Sequence, residues 1–420
     1  MILPLVRRLF ISALFLGPAS SIIAASAAVP PRTSLSLSKL IIFHRHGDRT
    51  PITPLTDSSF WSSTLPSALE LEGISKGTTI VKNSSAIHLP PSLRDLPPVP
   101  HGAGANPPFG LLTSLGLLQT ISLGTTLRTE ILSSFPSLSP DTFSPRDLHV
   151  LSTDFSRTIA SVRGVLTGLF PDPPAPSSPP ITIDTSYTNI LIPDPQPRNT
   201  QRQLDLESSL LSLVAVKDAE KLELATRVSN ALRDGGIVDS QADAVSYGVG
   251  EEKDDASQDG RGASPLAFSQ LAEVTKCLRV RDLLPPTISA ADQEELMAYA
   301  AERWTTLLSA GTPSVSTLAM SPCLRMLLSF AADPSHPKAT LISAHDSTLI
   351  GLLCALKLRM PAVWPEYASY LKLEVFDDAA GGAQHFRCSL NGEQLVSELS
   401  PSPSPFISAA TLAASIVDQD

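Results

Sequence analysis

Hydrophobic and polar positions change period along this chain, and the changes predict its elements. Lys39 to Phe43 is a short apolar run of β type. It ends in His44-Arg45-His46-Gly47-Asp48-Arg49-Thr50-Pro51, where Gly47 and Pro51 force the chain from a strand into a loop. A long helix is predicted beyond a proline-rich stretch, with Thr113 or Ser114 as N-cap and Leu115, Leu118, Ile121, Leu127 and Ile131 as its apolar positions. Leu148 to Ser152 reads as a strand feeding a helix capped near Thr153 or Asp154, which places Arg157 in that helix's first turn. The middle of the chain is helical in pattern, from Gln201 to Arg233 and from Pro265 to Ala332, with Ser289 as a cap. The acidic Gly250 to Arg261 stretch between them reads as a solvated loop. Strand patterns return at Ala339 to Ser343, Tyr370 to Phe376 and Gln384 to Leu390, the last running into the hairpin signal Asn391-Gly392. Phe406 to Val417 reads as a terminal helix. The expectation is an α/β domain of residues 29–170 and 335–420, closed from both ends of the chain, with a mainly helical cap of residues 171–334 inserted into it.

Composition narrows the function classes. At 420 residues, 42% hydrophobic and 17% charged, the chain can bury a large core and is neither wholly disordered nor a coiled coil. A net charge of -10 with no run of lysines or arginines argues against nucleic acid or an anionic membrane as the main partner. Any anionic ligand must be held locally. Arg7-Arg8, the apolar Leu9 to Leu16, Gly17-Pro18 and Ala25-Ser26-Ala27 have the layout of a secretory signal peptide over residues 1–28, cleaved after Ala27 or Ala28. The competing reading is an uncleaved N-terminal membrane anchor, because Leu9 to Val29 carries no charge. The four cysteines (Cys277, Cys323, Cys354, Cys388) allow up to two disulfides in an exported chain. They contain no C-x-x-C, and the eight histidines fall in no metal-ligand pairs, so no metal and no cofactor are expected. Asn83-Ser84-Ser85 is a glycosylation sequon in a polar stretch.

Two clusters carry candidate chemistry. Arg45, His46 and Arg49 follow one buried strand, and His345-Asp346 follows another just before a helix. Ligands of α/β sheets bind beyond the carboxyl ends of the strands, so both clusters can face one crevice. Guanidiniums suit phosphate oxygens, an imidazole can attack phosphorus, and a carboxylic acid can protonate a leaving alkoxide. Together they form a kit for metal-free phosphoryl transfer.

The string Arg45-His46-Gly47-Asp48-Arg49-Thr50-Pro51 resembles the R-H-G-x-R-x-P signature of the histidine acid phosphatases, branch two of the histidine phosphatase superfamily. Five such fixed positions arise by chance in about one chain in ten thousand. The resemblance continues in order through Leu112-Thr113 with Gly116, Gln119 and Arg128, then Ser152-Thr153-Asp154 with Arg157-Thr158, then Ser343-Ala344-His345-Asp346-Ser347-Thr348, then Tyr367-Ala368-Ser369. It implies a mixed central sheet with helices on both faces. It also implies hydrolysis of small phosphate monoesters through a phosphohistidine on His46, with Arg45, Arg49, Arg157 and His345 binding the phosphate and Asp346 donating the proton. His46 must attack as the neutral imidazole, so its other ring nitrogen is expected to donate to a backbone carbonyl. Asp346 is a sufficient acid only if burial or the bound dianion raises its pKa. From the signal-peptide layout the protein is expected to enter the secretory pathway, to be secreted or held in a lysosomal or vacuolar lumen, and a homodimer stays open.

His44, His149 and His385 read as structural histidines, His44 because alternation points it to the opposite face from the site. Asp48 is expected to hold its loop through backbone amides and Asp154 to cap a helix. Leu151 stands where many animal members carry an additional arginine, and the proline-rich insert between Ser85 and Phe109 is unusual. The alternatives are a phytase, a lysophosphatidate phosphatase, or an inactive binding or scaffold protein. A phytase would need several free cations around the pocket, whereas the insertion holds the scattered Lys217, Lys221, Arg227, Arg279 and Arg281.

Overall fold

The apolar run at residues 39–43 lacks the alternation of a half-solvated strand because both of its faces are covered. In the computed structural model, which describes residues 35–82, 107–171, 179–193, 200–239, 264–360, 363–379 and 382–416, it is the centre of β1 (Leu35–Arg45). Leu40 and Ile42 enter one core, Ile41 and Phe43 the other. The strands that follow are β2 (Thr78–Val81), β3 (Leu148–Ser152), β4 (Ile181–Asp184), β5 (Ala339–Ala344), β6 (Leu358–Arg359), β7 (Tyr370–Asp378), β8 (Gln384–Leu390), β9 (Glu393–Gln394), β10 (Val396–Ser397) and β11 (Phe406–Ser408). Nine strands form one mixed sheet in the order β11-β8-β7-β1-β5-β3-β4-β2, with β9 added at β8, and β6 pairs with β10 apart from it. From β1 to β2 the neighbours are parallel, while β7, β8 and β11 pair antiparallel.

The helices are α1 (Ser58–Ser63), α2 (Ala68–Ser75), α3 (Ser114–Ser134), α4 (Ser156–Leu169), α5 (Thr188–Leu191), α6 (Thr200–Asp234), α7 (Phe268–Arg279), α8 (Ala290–Ser309), α9 (Val315–Ala332), α10 (Asp346–Ala355) and α11 (Ala409–Ser415). Helices α3 and α4 cover one face of the sheet through Leu123, Leu127, Ile131, Val162 and Val165. Helices α9, α10 and α11 cover the other through Met320, Leu324, Leu327, Leu349, Leu352 and Leu412.

Thr113 is the N-cap of α3, its side chain accepting from the Gly116 N–H. The helix does not bury the face expected of it: Leu115 and Leu118 are 42% and 65% exposed. The reason is its crossing with α4, which runs over small residues. A Cβ on Gly124 would sit 2.1 Å from the Val165 carbonyl oxygen, and one on Gly168 2.0 Å from that of Ile121. Packing backbone on backbone fixes the buried face at Gly116, Thr120, Gly124 and Leu127 and turns Leu115 and Leu118 outward.

Within residues 171–334, three elements belong to the sheet's own layers. Strand β4 lies between β3 and β2, and α5 and α9 pack on the sheet. Helices α6, α7 and α8 form a separate cluster of Leu224, Val228, Leu271, Val274 and Leu296, joined by Leu55, Trp61 and Phe109 from the amino-terminal part of the chain. Asn391 and Gly392 take the positive φ values, 51° and 87°, of a turn between β8 and β9. The expected terminal helix is shorter, because Phe406–Ser408 pairs with β8 before Ser408 caps α11. All four cysteines are free thiols. Leu151 is fully buried beneath the helices of the second face, where an arginine would need a partner. The predicted signal peptide, the sequon, the stretch 85–106 and the loop 250–261 lie outside the described residues.

Candidate active site

Three parallel strands end side by side, and the segments after them converge. Arg45 of β1 registers with Ala344 of β5, and Ser343 of β5 with Ser152 of β3. His46 to Arg49, His345-Asp346 and Arg157 at the start of α4 therefore meet in one crevice. Arg45, His46, Arg49, Arg157 and His345 are buried, and Asp346 is partly so. Gly47 permits the approach of the loop to α3, since a Cβ there would lie 2.2 Å from the Gly116 carbonyl oxygen.

The tautomer of His46 follows from its hydrogen bond. Nδ1 lies 2.8 Å from the Gly47 carbonyl, which can only accept, so Nδ1 carries the proton and Nε2 the lone pair. Burial, then Arg157, Arg45 and Arg49, push its pKa well below the usual histidine range, which favours the neutral ring.

The arginines are only partly satisfied. Arg45 donates to the Pro365 carbonyl at 2.5 Å and pairs with Asp346 at 2.7 Å. Arg49 donates to the Thr50 carbonyl at 3.1 Å and pairs with Glu273 at 2.5 Å. Burial pushes the Arg49 pKa down, but the Glu273 carboxylate more than reverses this. The Nε atoms of Arg45, Arg49 and Arg157, and Nη1 of Arg157, are buried and unpaired. Burial and the neighbouring Arg49 pull Arg157 down to about 9, even though the Asp346 carboxylate opposes them. Unpaired guanidinium N–H groups in a buried cluster are costly, and a tetrahedral oxyanion satisfies them.

His345 completes this wall. Its Nε2 is 3.0 Å from Thr153 Oγ1, and that hydroxyl donates onward to Thr158 at 2.9 Å, so Nε2–H is the donor. Its Nδ1 faces Arg157 Nη2 at 3.4 Å. Burial and Arg157 push its pKa well down. Thr153 is thus spent on His345 and Thr158 rather than on a cap, and Asp154 pairs with Lys82 at 3.0 Å; α4 begins without a side-chain cap bond.

Asp346, the first residue of α10, departs from expectation. Burial pushes its pKa up, but Arg45, Arg49 and a hydrogen bond from the Trp364 indole outweigh it and hold the carboxyl below the ordinary aspartate range. Burial alone therefore does not make it an acid. Of the two expected routes only the bound anion remains, which would offset the field of the arginines.

Several contributors were not apparent from the sequence. Glu273 of α7 accepts from the Ile52 N–H at 2.7 Å as well as from Arg49. Arg281 pairs with Asp48 at 2.5 Å, and Asp48 accepts from Thr113 Oγ1. Asp48 therefore anchors its loop through side chains rather than amides. Lys276 lies 2.7 Å from the Glu366 carboxylate. The Tyr367 ring lies under the Arg45 guanidinium at 4.2 Å and 5.9 Å from the His46 ring centre. Glu273, Cys277 and Arg281 recur at helical spacing, which announces one face of a helix but not what that face touches. His44 is fully buried, its Nδ1 3.0 Å from the Arg45 carbonyl, and burial lowers it to about 4. His149 packs edge-on against Phe330 and His336. Among the described residues, no group of histidine, cysteine, aspartate and glutamate is arranged to hold a metal.

Comparison with known proteins adds to this geometry. The family model of the histidine phosphatase superfamily (branch 2) matches residues 36–226. Lysophosphatidic acid phosphatase type 6 of Pongo abelii is 26% identical over 352 residues, covering 83% of this chain and 76% of that protein. Counting factor 60 of Dictyostelium discoideum is 27% identical over 366 residues, 82% of this chain and 77% of its own. Among solved structures, the phytase of Citrobacter braakii superposes with a TM-score of 0.57 at 15% identity, over 90% of this chain and 97% of that one. Hafnia alvei phytase with myo-inositol hexakis sulphate gives 0.59 at 14% identity, over 92% and 98%.

Proposed function

We propose that the chain is a phosphoric monoester hydrolase of branch 2 of the histidine phosphatase superfamily, an acid phosphatase in which His46 is the nucleophile, Arg45, Arg49, Arg157 and His345 hold the phosphate, and Asp346 is the acid. The observation that carries the assignment is the convergence of buried, unpaired guanidinium N–H groups around a neutral imidazole whose Nδ1–H is committed to the Gly47 carbonyl.

In the first step the His46 Nε2 lone pair forms a bond to phosphorus, the bond from phosphorus to the ester oxygen breaks, and that oxygen leaves with the proton of Asp346. In the second, water attacks the phosphohistidine, Asp346 takes its proton, and the bond from phosphorus to Nε2 breaks. The arginines neutralise charge on the equatorial oxygens throughout, at contacts each worth about a few kcal/mol in a water-poor site. A dianionic phosphate beside Arg45 and Arg49 offsets the charges that hold Asp346 ionised, so substrate binding itself prepares the acid.

The charges of the insertion favour a substrate with one phosphate over the phytase reading. Lys217 pairs with Glu302, Lys221 with Glu295, Arg227 with Asp292, Arg279 with Glu294 and Arg281 with Asp48. Each of these five has a carboxylate partner rather than standing free toward the pocket. Lysophosphatidate, a one-phosphate ester that names a relative, is the first substrate to test. The arrangement at residues 1–28 supports export through the secretory pathway, and α6 to α8 with α7 over the signature loop support a cap role for the insertion.

A test compares Asp346→Asn with the wild type on alkyl and aryl phosphates at acid pH. Loss of the proton should raise the barrier for alkyl esters by about several kcal/mol and spare esters of acidic phenols. Equal damage to both classes would contradict the role of Asp346.

A further inference from the structure

Asp346 is held by two kinds of partner. Its Oδ2 accepts from Arg45 at 2.7 Å and from the indole Nε1 of Trp364 at 2.9 Å, while Oδ1 accepts from the Ser347 N–H at 2.8 Å. Arg45 is a cation that an arriving phosphate also requires, so the phosphate competes for it. The Trp364 indole is neutral and can only donate. It can orient the carboxyl without the full charge that keeps it ionised.

Trp364 is itself firmly placed. Its ring packs edge-on against Trp304 of α8 with centres 6.0 Å apart. The residues after it all grip the same site: Pro365 accepts from Arg45, Glu366 pairs with Lys276, Tyr367 lies under Arg45, and the Ala368 N–H donates to the His46 carbonyl at 3.1 Å. Ala368 takes a φ of 58°, a left-handed conformation that alanine adopts only when its surroundings impose it. Residues 364–368 thus form a strap that touches the nucleophile, an oxyanion-binding arginine and the acid in turn.

We propose that Trp364 is a positioning residue for the proton donor, its indole N–H holding Asp346 Oδ2 in place as the phosphate takes up Arg45. The proposal rests on Asp346 being the acid. The charged and titratable groups facing Asp346 are Arg45 at the end of β1, Arg49 in the signature loop, Arg157 of α4, Lys276 of α7 and its own neighbour His345. Trp364 is the neutral side-chain donor beside them. Its removal takes a hydrogen bond from the charged form of the carboxyl, so proton affinity rises, and it releases the carboxyl to turn from the leaving oxygen.

Trp364→Phe keeps a ring and loses the N–H. In the full-length enzyme, the basic limb of the kcat profile should move to higher pH by roughly one pH unit. The ratio of kcat for an aryl phosphate to that for an alkyl phosphate should rise about tenfold or more. Trp304→Phe, which disturbs the packing but keeps the indole N–H on Asp346, should leave both readouts where they are. If Trp364→Phe does not accumulate as folded protein, the benzothiophene analogue of tryptophan at this position, with sulfur for N–H, serves instead and should give the same shift. An unmoved limb and ratio on loss of the N–H, or the same changes in Trp304→Phe, would overturn the proposal. Trapping the phosphoenzyme keeps the two levels apart: a wild type that forms none defeats the reading of the site, whereas an unmoved limb with the phosphoenzyme intact defeats only the role of Trp364.

Discussion

Burial lowers the pKa of three histidines, for His46 and His345 together with neighbouring arginines, and this sets how the fold responds to acid. The pKa of His44 falls to about 4, and those of His46 and His345 lie well below the usual value, in each case first through burial. In the unfolded chain all three take up protons below about pH 6.5, so between there and about pH 4 the unfolded state binds more protons and stability rises with pH. The thermal midpoint should therefore fall as the pH is lowered from 6.5 towards 4, each histidine contributing up to about 1.4 kcal/mol per pH unit. Inorganic phosphate should offset part of the loss by binding only the folded state. A midpoint that is flat or rises on acidification would contradict the burial of these rings as neutral groups. The six residues named from sequence meet in one crevice because each sits in a short contiguous motif at the end of a strand. Glu273, Lys276 and Trp364 were not legible, because helical spacing or a loop tryptophan reports burial and not the partner across the fold.

At the scale of elements, α3 and α4 carry the amino-terminal half of the site, with the signature loop against the start of α3 and Arg157 in the first turn of α4. Their crossing depends on Gly124 and Gly168. A Cβ at 168 would meet the Ile121 carbonyl oxygen and the Thr125 nitrogen, at 2.0 and 2.8 Å, and backbone atoms cannot step aside. Gly168→Ala should destabilise the fold by about 1–3 kcal/mol in denaturant unfolding, although alanine is the better helix former. A neutral or stabilising result would mean that the helices cross less closely than described. Periodicity located both helices well but misjudged which leucines of α3 are buried. The face was set by small residues, which carry little hydrophobic signal, and Leu115 and Leu118 were left outside it.

At the scale of the whole molecule, a chain of net charge -10 gathers three guanidiniums beyond the carboxyl ends of its central strands and pairs Lys217, Lys221 and Arg227 of its insertion with carboxylates. The alternation of elements made the α/β architecture legible. The assignment of β4 and α9 to the sheet was not, because a four-residue strand among proline-rich segments has no pattern of its own and α9 reads as one more helix. Since arginines supply the charge that a metal supplies elsewhere, activity should persist in chelator and be blocked by vanadate. Loss in chelator with recovery on adding zinc or magnesium would overturn that expectation. The most direct measurement is acid-free trapping of the phosphoenzyme from a labelled monoester in the wild type and in His46→Ala. A label that is stable in alkali, labile in acid and absent from the variant, together with loss of turnover, is the predicted result. A label that persists without His46, or a variant that still turns over, would contradict the account.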